Sequence, residues 1–121
     1  MLKTSLFLLH HYTLIMEIEF KADYLRELYE DNRSDDKRFK SNPQLIKQYI
    51  KTVNKLRDIS KIEQLYQHKS LNYQKKIGDL KGKSAVYINK QFRLIFEEIP
   101  DDKPPNEIKI LALEEISKHY E

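Results

Sequence analysis

Two strand-like runs separated by only three residues constrain the fold of this 121-residue chain more than any other stretch. Residues 84–88 and 92–99 are rich in valine, isoleucine, tyrosine and phenylalanine, which fit the pleated, half-buried surface of a strand. The polar break at residues 89–91 is short enough to be a hairpin loop. The sequence therefore predicts an antiparallel pair of strands at the centre of the fold.

The turn before this hairpin holds both glycines of the chain and lies within its most basic segment. Gly78 and Gly82 stand at the two ends of the turn, residues 78–82. Glycine would be required there either by backbone angles that other residues cannot adopt or by close approach to a ligand. Between Lys69 and Arg93 stand seven basic residues and one acid, whereas the whole chain has a net charge of only +3. This asymmetry predicts a polyanionic ligand.

Length and composition predict a single domain, and we expect it to use no cofactor. At 121 residues the chain can bury one modest core, and its 34% of charged residues is typical of a globular protein with a well-charged surface. It contains no cysteine, and its four histidines are too scattered for the spacing of metal ligands. Disulfides and thiolate metal sites are therefore excluded.

Residues 1–15 are predicted to be an extension that precedes the domain. Their apolar run, residues 6–9, is too short for a signal peptide or a membrane span, and two histidines interrupt it. Met16 opens a segment with the pattern of a first strand, which predicts a domain over residues 16–121. Residues 1–15 are then either an upstream extension of the gene or an ordered apolar arm. We expect the protein to be cytoplasmic.

The first half of the domain predicts one strand followed by helices. Residues 17–20 alternate polar and apolar, as in a half-buried strand. Residues 21–32 carry an apolar stripe at helical spacing, and 33–38 form a charge-rich connection. A second helix begins at Asn42 and Pro43, because asparagine caps a helix and proline suits its first position.

The second half predicts the sheet. Ser60 and Glu63 have capping-box spacing, so a short third helix that ends near Gln67 precedes the hairpin. Three prolines interrupt residues 100–106, and residues 108–113 then alternate as the last strand of a three-stranded antiparallel meander. Two to three helices on one face of a mostly antiparallel sheet form an α+β fold, which leaves the other face for a ligand.

Arg93 is a candidate for chemistry because it is a cation in the middle of a predicted strand. Period-two geometry sends Phe92, Leu94 and Phe96 to the core and Arg93 to the open face. There it would lie beside the lysines of the preceding turn and strand. The alternative is a surface arginine paired with Glu97.

Two other sets of side chains suit a nucleic acid. His119 and Tyr120 could pass a proton in acid–base work on a phosphodiester, unless they belong to a solvated terminus. Tyr66, Tyr73 and Tyr87 are interleaved with the basic segment, where their rings could stack on single-stranded bases or serve as packing residues.

Three motifs together resemble the HigB-like branch of the RelE/ParE superfamily, the toxins of type II toxin–antitoxin modules. They are Leu80-Lys81-Gly82, the run INKQFRLIF from Ile88 to Phe96, and the His119-Tyr120 ending. The resemblance extends from about Met16 to the C-terminus. It implies a small α+β domain that enters the ribosomal A site and cuts mRNA there without a metal, and a cognate helix-turn-helix antitoxin.

The resemblance also implies roles for individual residues. In such cleavage the ribose 2′-hydroxyl attacks the adjacent phosphate while a base and an acid move the protons. By position, Arg93 would stabilise the phosphate, and His119 and Tyr120 would supply the acid, base and positioning groups. The residues expected to hold RNA are Lys76, Lys81, Lys83 and Lys90.

Two features depart from the family pattern. Tyr73 and Gln74 occupy the region in which some HigB toxins carry a histidine, and His119 precedes Tyr120 where family members often have the opposite order. Two alternatives therefore stay open. One is a ParE-like gyrase inhibitor, and the other is a degenerate toxin that only binds its antitoxin or RNA.

Overall fold

The computed structural model describes residues 16–75 and 82–118. Its strands are β1 (Glu17–Phe20), β2 (Gln74–Lys75), β3 (Lys83–Tyr87), β4 (Phe92–Pro100) and β5 (Ile108–Lys118). Its helices are α1 (Asp23–Glu30), α2 (Lys37–Lys40) and α3 (Pro43–Arg57), followed by two 3-10 helices, Ile62–Gln67 and Lys69–Leu71.

The five strands form one sheet in the order β1-β5-β4-β3-β2. Strand β1 is parallel to β5, whereas the other three pairings are antiparallel. The helices pack on one face of this sheet, and the hydrophobic core lies between the helices and that face. The predicted α+β architecture, with an N-terminal strand and a C-terminal meander of β3, β4 and β5, is confirmed.

Helix α3 begins where the sequence predicts. The Asn42 side chain accepts the backbone N–H of Leu45 at 3.2 Å, and Pro43 takes the first position, where a missing N–H leaves no bond unmade. Tyr49 of this helix is fully buried, and its hydroxyl donates to the carbonyl of Leu25 in α1 at 2.7 Å. The two helices are therefore joined by packing and by a hydrogen bond.

The predicted alternation of strand β4 is also confirmed. Leu94 and Phe96 are fully buried against the helices, and Phe92 packs at the margin of the same core. Val86 of β3 and Ile116 of β5 lie beside them. The odd-numbered residues of β4 therefore lie on the opposite face, called the open face, where Ile95 is buried but Arg93 and Glu97 are partly exposed.

The last strand is longer than predicted. We expected it to end at Leu113, where the alternation breaks, but β5 continues to Lys118. Opposite β4 the pairing skips Glu114, which is the extra residue of a β-bulge. The bulge changes the phase of the strand, so Ile116 returns to the core face and pairing continues.

The capping prediction for the third helix named the wrong residue. Gln64, rather than Glu63, reaches back to the start of the 3-10 helix. Its Oε1 accepts the N–H of Ser60 at 2.7 Å and that of Lys61 at 3.3 Å. The side-chain amide thus satisfies N–H groups that a helix start leaves without partners.

Three further local predictions need correction. The first helix is α1, shorter than residues 21–32, and Asn32 takes a left-handed φ of 57° after it. The charge-rich connection 33–38 includes the start of α2, where the Asp36 side chain accepts the N–H of Arg38 at 2.9 Å. Strand β2 was not predicted, because its two polar residues carry no alternation.

Gly82 has a φ of +88°, in the region that the predicted turn requires of glycine. Gly78 and the predicted extension 1–15 lie outside the described residues. Within residues 16–75 and 82–118, no helix is both long and apolar enough to cross a membrane.

Candidate functional site

Arg93 lies on the open face of the middle strand of the sheet. In the register of the strands it stands between Tyr87 of β3 and Ser117 of β5. Its guanidinium carbon is 5.0 Å from the centroid of the Tyr87 ring, and its Nη2 is 3.5 Å from the Tyr87 hydroxyl oxygen. This cation–π contact holds the charged group in a defined, half-buried position.

The hairpin loop next to Arg93 is organised by Asn89. Its Oδ1 accepts the N–H groups of Gln91 and Phe92, both at 2.8 Å, and its Nδ2 donates to Gln48 of α3 at 2.8 Å. These bonds anchor the loop to the helical layer. Lys90, at the tip of the loop, is exposed. Two of the predicted site residues, Lys90 and Arg93, therefore lie at the same end of the sheet.

Lys83, a third predicted site residue, lies in a network of four charges. Its ammonium contacts Glu97 at 3.0 Å and also Glu114, and Lys21 contacts the same two carboxylates at 2.8 Å each. Glu97 is thus engaged by two lysines, whereas the alternative interpretation paired it with Arg93. In the register of β3, Lys83 stands four residues from Tyr87, about 13 Å along the strand.

The four charges shift one another's pKa values. Hydrogen bonds, first to Glu114 and then to Glu97, raise the pKa of Lys21 to about 12 and raise the pKa of Lys83 in the same direction. The same contacts lower the pKa of Glu97. Burial opposes ionisation of Glu114, but the bonds from both lysines outweigh it, so its pKa also lies below the ordinary range.

This network predicts a pH-dependent contribution to stability. We expect Glu114→Gln to lower the free energy of unfolding at pH 7 by about 1 kcal/mol or less, as is usual for partly exposed ion pairs. The glutamates' contribution is present above their unfolded pKa, near 4.5, and is lost as the pH falls through their lower folded values. The contribution of Lys21 is present below 10.5 and is lost as the pH rises through about 12.

Urea unfolding of the wild type and of Glu114→Gln at several pH values measures this difference. It should be constant near neutrality and shrink below about pH 4. Glu30→Gln, on the exposed surface of α1, is the matched control and should show no such trend. A Glu114→Gln difference that is unchanged at about pH 3 would contradict the assignment.

Glu98 is a nearly buried carboxylate that we did not predict. Its side chain is 9% exposed, and it accepts hydrogen bonds from the hydroxyls of Tyr73 and Ser84, while Lys75 lies 4.0 Å away. Burial, and next the bond to Glu98, raise the pKa of Tyr73, which keeps its hydroxyl a donor. The sequence does contain a sign of this cluster. Glu98 stands two residues after Phe96, so strand alternation places this glutamate on the apolar core face.

A second group of unpredicted contacts covers the edge of β5. Strand β1 pairs with β5 only as far as Leu113. Beyond it, the N–H of Ile116 donates to the Tyr24 hydroxyl at 3.0 Å, and its carbonyl accepts from Arg38 at 3.3 Å. Side chains thus take the place of a neighbouring strand, which protects this edge from pairing with another chain.

Arg38 is itself held in place by its neighbours. Its guanidinium carbon lies 4.7 Å from the ring centroid of Phe39, and it pairs with Asp36 at 3.1 Å, which lowers the pKa of that carboxyl. It borders a cleft of about 420 Å³ that Phe92, Ser117 and Lys118 also line. The cleft lies at the end of β5, close to the strand positions that flank Arg93.

The remaining predicted site residues lie outside the described residues. They are Lys76, Lys81, His119 and Tyr120, and their roles stay predictions. The chain reaches His119 directly from Lys118, the last residue of β5, which pairs with Phe92 beside Arg93. Within the described ranges, no group of three or more histidine, aspartate or glutamate side chains is placed to hold a metal ion.

This arrangement of strands and helices matches a toxin of known structure. The YoeB/ParE toxin from Agrobacterium tumefaciens superposes on 87% of this chain and on 100% of its own, with a TM-score of 0.50 and 13% sequence identity. The fold is that of the RelE/ParE-like toxins. At this identity the similarity concerns the fold alone, and the HigB-like assignment stays a prediction.

Two further solved structures are similar at lower scores. The YoeB–YefM complex from Staphylococcus aureus has a TM-score of 0.45 and 16% identity, over 87% of this chain and 98% of that one. YafQ from E. coli strain BL21(DE3) has a TM-score of 0.43 and 13% identity, over 86% and 93%. No protein-family model matches the chain, and no curated protein matches its sequence.

Proposed function

We propose that this protein is the toxin of a type II toxin–antitoxin module and that it cleaves mRNA in the ribosomal A site. The observation that carries the proposal is the placement of Arg93. It is a guanidinium supported by Tyr87 on the open face of a RelE/ParE-like sheet. A cation that keeps its charge and is held in position suits a phosphate that gains charge in the transition state.

The proposed reaction is transesterification by the RNA itself. The ribose 2′-oxygen bonds to the adjacent phosphorus, and the bond from phosphorus to the 5′-oxygen breaks. A base accepts the 2′-hydroxyl proton, and an acid gives a proton to the leaving oxygen. We assign the stabilisation of the phosphate to Arg93, and proton transfer and positioning to His119 and Tyr120, which follow the end of β5.

We assign RNA binding at this site first to Lys90, which shares the hairpin end of the sheet with Arg93. Lys76 and Lys81 remain assigned to the same task. The contribution of Lys83 is expected to be smaller, because two carboxylates contact its ammonium and it stands at the other end of the open face. The partners of the proposed toxin are the translating ribosome, its mRNA and a helix-turn-helix antitoxin of HigB-like modules.

The proposal predicts new mRNA ends after brief induction of the full chain in a bacterial host. Mapping of 5′ ends should find cuts inside translated codons, and these cuts should vanish when translation is blocked. Arrested growth with altered DNA supercoiling and no new ends would favour a gyrase inhibitor. Neither effect would favour a degenerate toxin. Either outcome would overturn the proposed cleavage.

A further inference from the structure

A second surface with the properties of a nucleic-acid site surrounds Tyr66. Within residues 16–75 and 82–118, Tyr66 is the one large hydrophobic side chain classed as exposed, at 62%. It belongs to the 3-10 helix Ile62–Gln67 and borders a cleft of about 250 Å³. The cleft is also lined by Leu65, His68, Lys69, Asn72 and Tyr73.

The Tyr66 ring is held in position by buried neighbours. It meets the Tyr73 ring edge to face, with centroids 4.9 Å apart and an interplanar angle of 70°. Tyr73 is 7% exposed, stacks against Phe96 of the core, and donates its hydroxyl to Glu98. An exposed ring on such a support loses little freedom when a flat partner stacks on it.

The charges at this cleft suit a polyanion. Its lining includes one lysine, Lys69, and one histidine, His68, and no acid among the described residues. Lys55 approaches the neighbouring Ser70 with its ammonium 3.5 Å from the hydroxyl oxygen, which adds a cation at the margin. Phosphates therefore meet attraction here, whereas an acid-free lining offers a basic peptide no counter-charge.

Asn72 supplies a group that can read a base. Its backbone has a left-handed φ of 45°, and it lines the cleft between the 3-10 helix Lys69–Leu71 and strand β2. A side-chain amide both donates and accepts hydrogen bonds, as the edge of an unpaired base requires. An aromatic platform, a cation and an amide therefore meet in one cleft.

We infer that this cleft binds an unpaired base of RNA, stacked on Tyr66, with Lys69 at the adjoining phosphate. The inference rests on the proposed function in taking RNA as the ligand. The cleft is distinct from the cleavage site, because Tyr73 packs on the core side of β4 while Arg93 lies on its open face. The cleft would therefore bind a part of the RNA away from the bond that is cleaved.

The test is the affinity of the full chain for a fluorescent single-stranded 2′-O-methyl oligoribonucleotide, which 2′-hydroxyl attack cannot cleave. Tyr66→Ala should weaken binding about 5- to 150-fold, the range for loss of one stacked base. Tyr66→Phe keeps the ring and should bind like the wild type. Lys103→Ala, in the exposed turn before β5, is the control and should also bind normally.

The salt dependence separates stacking from charge. Tyr66→Ala should leave the slope of log affinity against log salt unchanged, because no phosphate contact is lost. Lys69→Ala should reduce that slope by about 0.7, the value for one phosphate of a single strand. Thermal melting should show that Tyr66→Ala remains folded, since its side chain is exposed.

Wild-type affinity in Tyr66→Ala, or equal loss of affinity for a fully paired RNA duplex, would overturn the inference. The inference would also be overturned if Tyr66→Ala lost antitoxin binding but kept its RNA affinity, because the cleft would then be a protein-binding surface. The two proposals fail separately. A chain that cuts mRNA without Tyr66-dependent RNA binding refutes only the cleft, and Tyr66-dependent binding without cleavage refutes only the nuclease.

Discussion

Arg93→Ala is expected to slow mRNA cleavage by about 10²- to 10³-fold, the usual effect of removing one group that stabilises transition-state charge. The guanidinium is held over the Tyr87 ring on the open face, and its planar fork of donors matches the oxygens of a phosphate. The measurement is the rate at which new 5′ ends appear in a translating extract, followed by primer extension.

The control for this prediction is Arg57→Ala. Arg57 makes the same kind of contact, with its guanidinium carbon 5.7 Å from the Tyr29 ring, but it lies in helix α3. Arg57 is exposed, so its loss should cost at most about 1 kcal/mol of stability and should leave cleavage unchanged. Arg93→Lys, which keeps the charge but not the fork, should fall between the wild type and Arg93→Ala. Cleavage at the wild-type rate by Arg93→Ala would remove Arg93 from the mechanism.

Tyr49→Ala is expected to lower the free energy of unfolding by about 3–5 kcal/mol, as for other large aromatic side chains deleted from a core. Tyr49 is fully buried in helix α3, and its hydroxyl bonds to Leu25 of α1. Burial raises the pKa of Tyr49, so the hydroxyl remains a donor. Urea unfolding monitored by circular dichroism measures the loss.

Two variants separate the contributions of packing and hydrogen bonding. Tyr49→Phe keeps the ring and should cost only about 1 kcal/mol, the net value of one hydrogen bond. Tyr66→Ala deletes an exposed tyrosine and should cost only about 1 kcal/mol, the value of its edge-to-face contact with Tyr73. If Tyr49→Phe proved as destabilising as Tyr49→Ala, the hydrogen bond rather than the packed ring would dominate.

The elements predicted correctly are those with local signals. Asn42 and Pro43 specify the start of α3 because a cap and a first-turn proline act within a few residues. The hairpin of β3 and β4 follows from two apolar runs and a short polar loop, which Asn89 closes with its own side chain. Period two along β4 then places Arg93 on the open face.

The parts missed depend on partners far apart in the chain. The strand alternation breaks at Glu114, and only the sheet reveals that this residue is a bulge after which pairing resumes. The same glutamate accepts a hydrogen bond from Lys21, 93 residues away, and also contacts Lys83. Lys83 was predicted to bind RNA because it lies in a basic segment. In the fold, however, two glutamates contact its ammonium and offset its charge.

Local sequence patterns are enough to predict the α+β class, the order of the main elements and the face on which Arg93 stands, because helix caps, turns and strand alternation are set by near neighbours. Which charges and rings are exposed depends on the tertiary fold. Tyr66, Tyr73 and Tyr87 look alike in the sequence, but one is exposed, one is buried against Phe96 and one supports Arg93. Burial and charge pairing depend on contacts between distant segments, which local patterns do not encode.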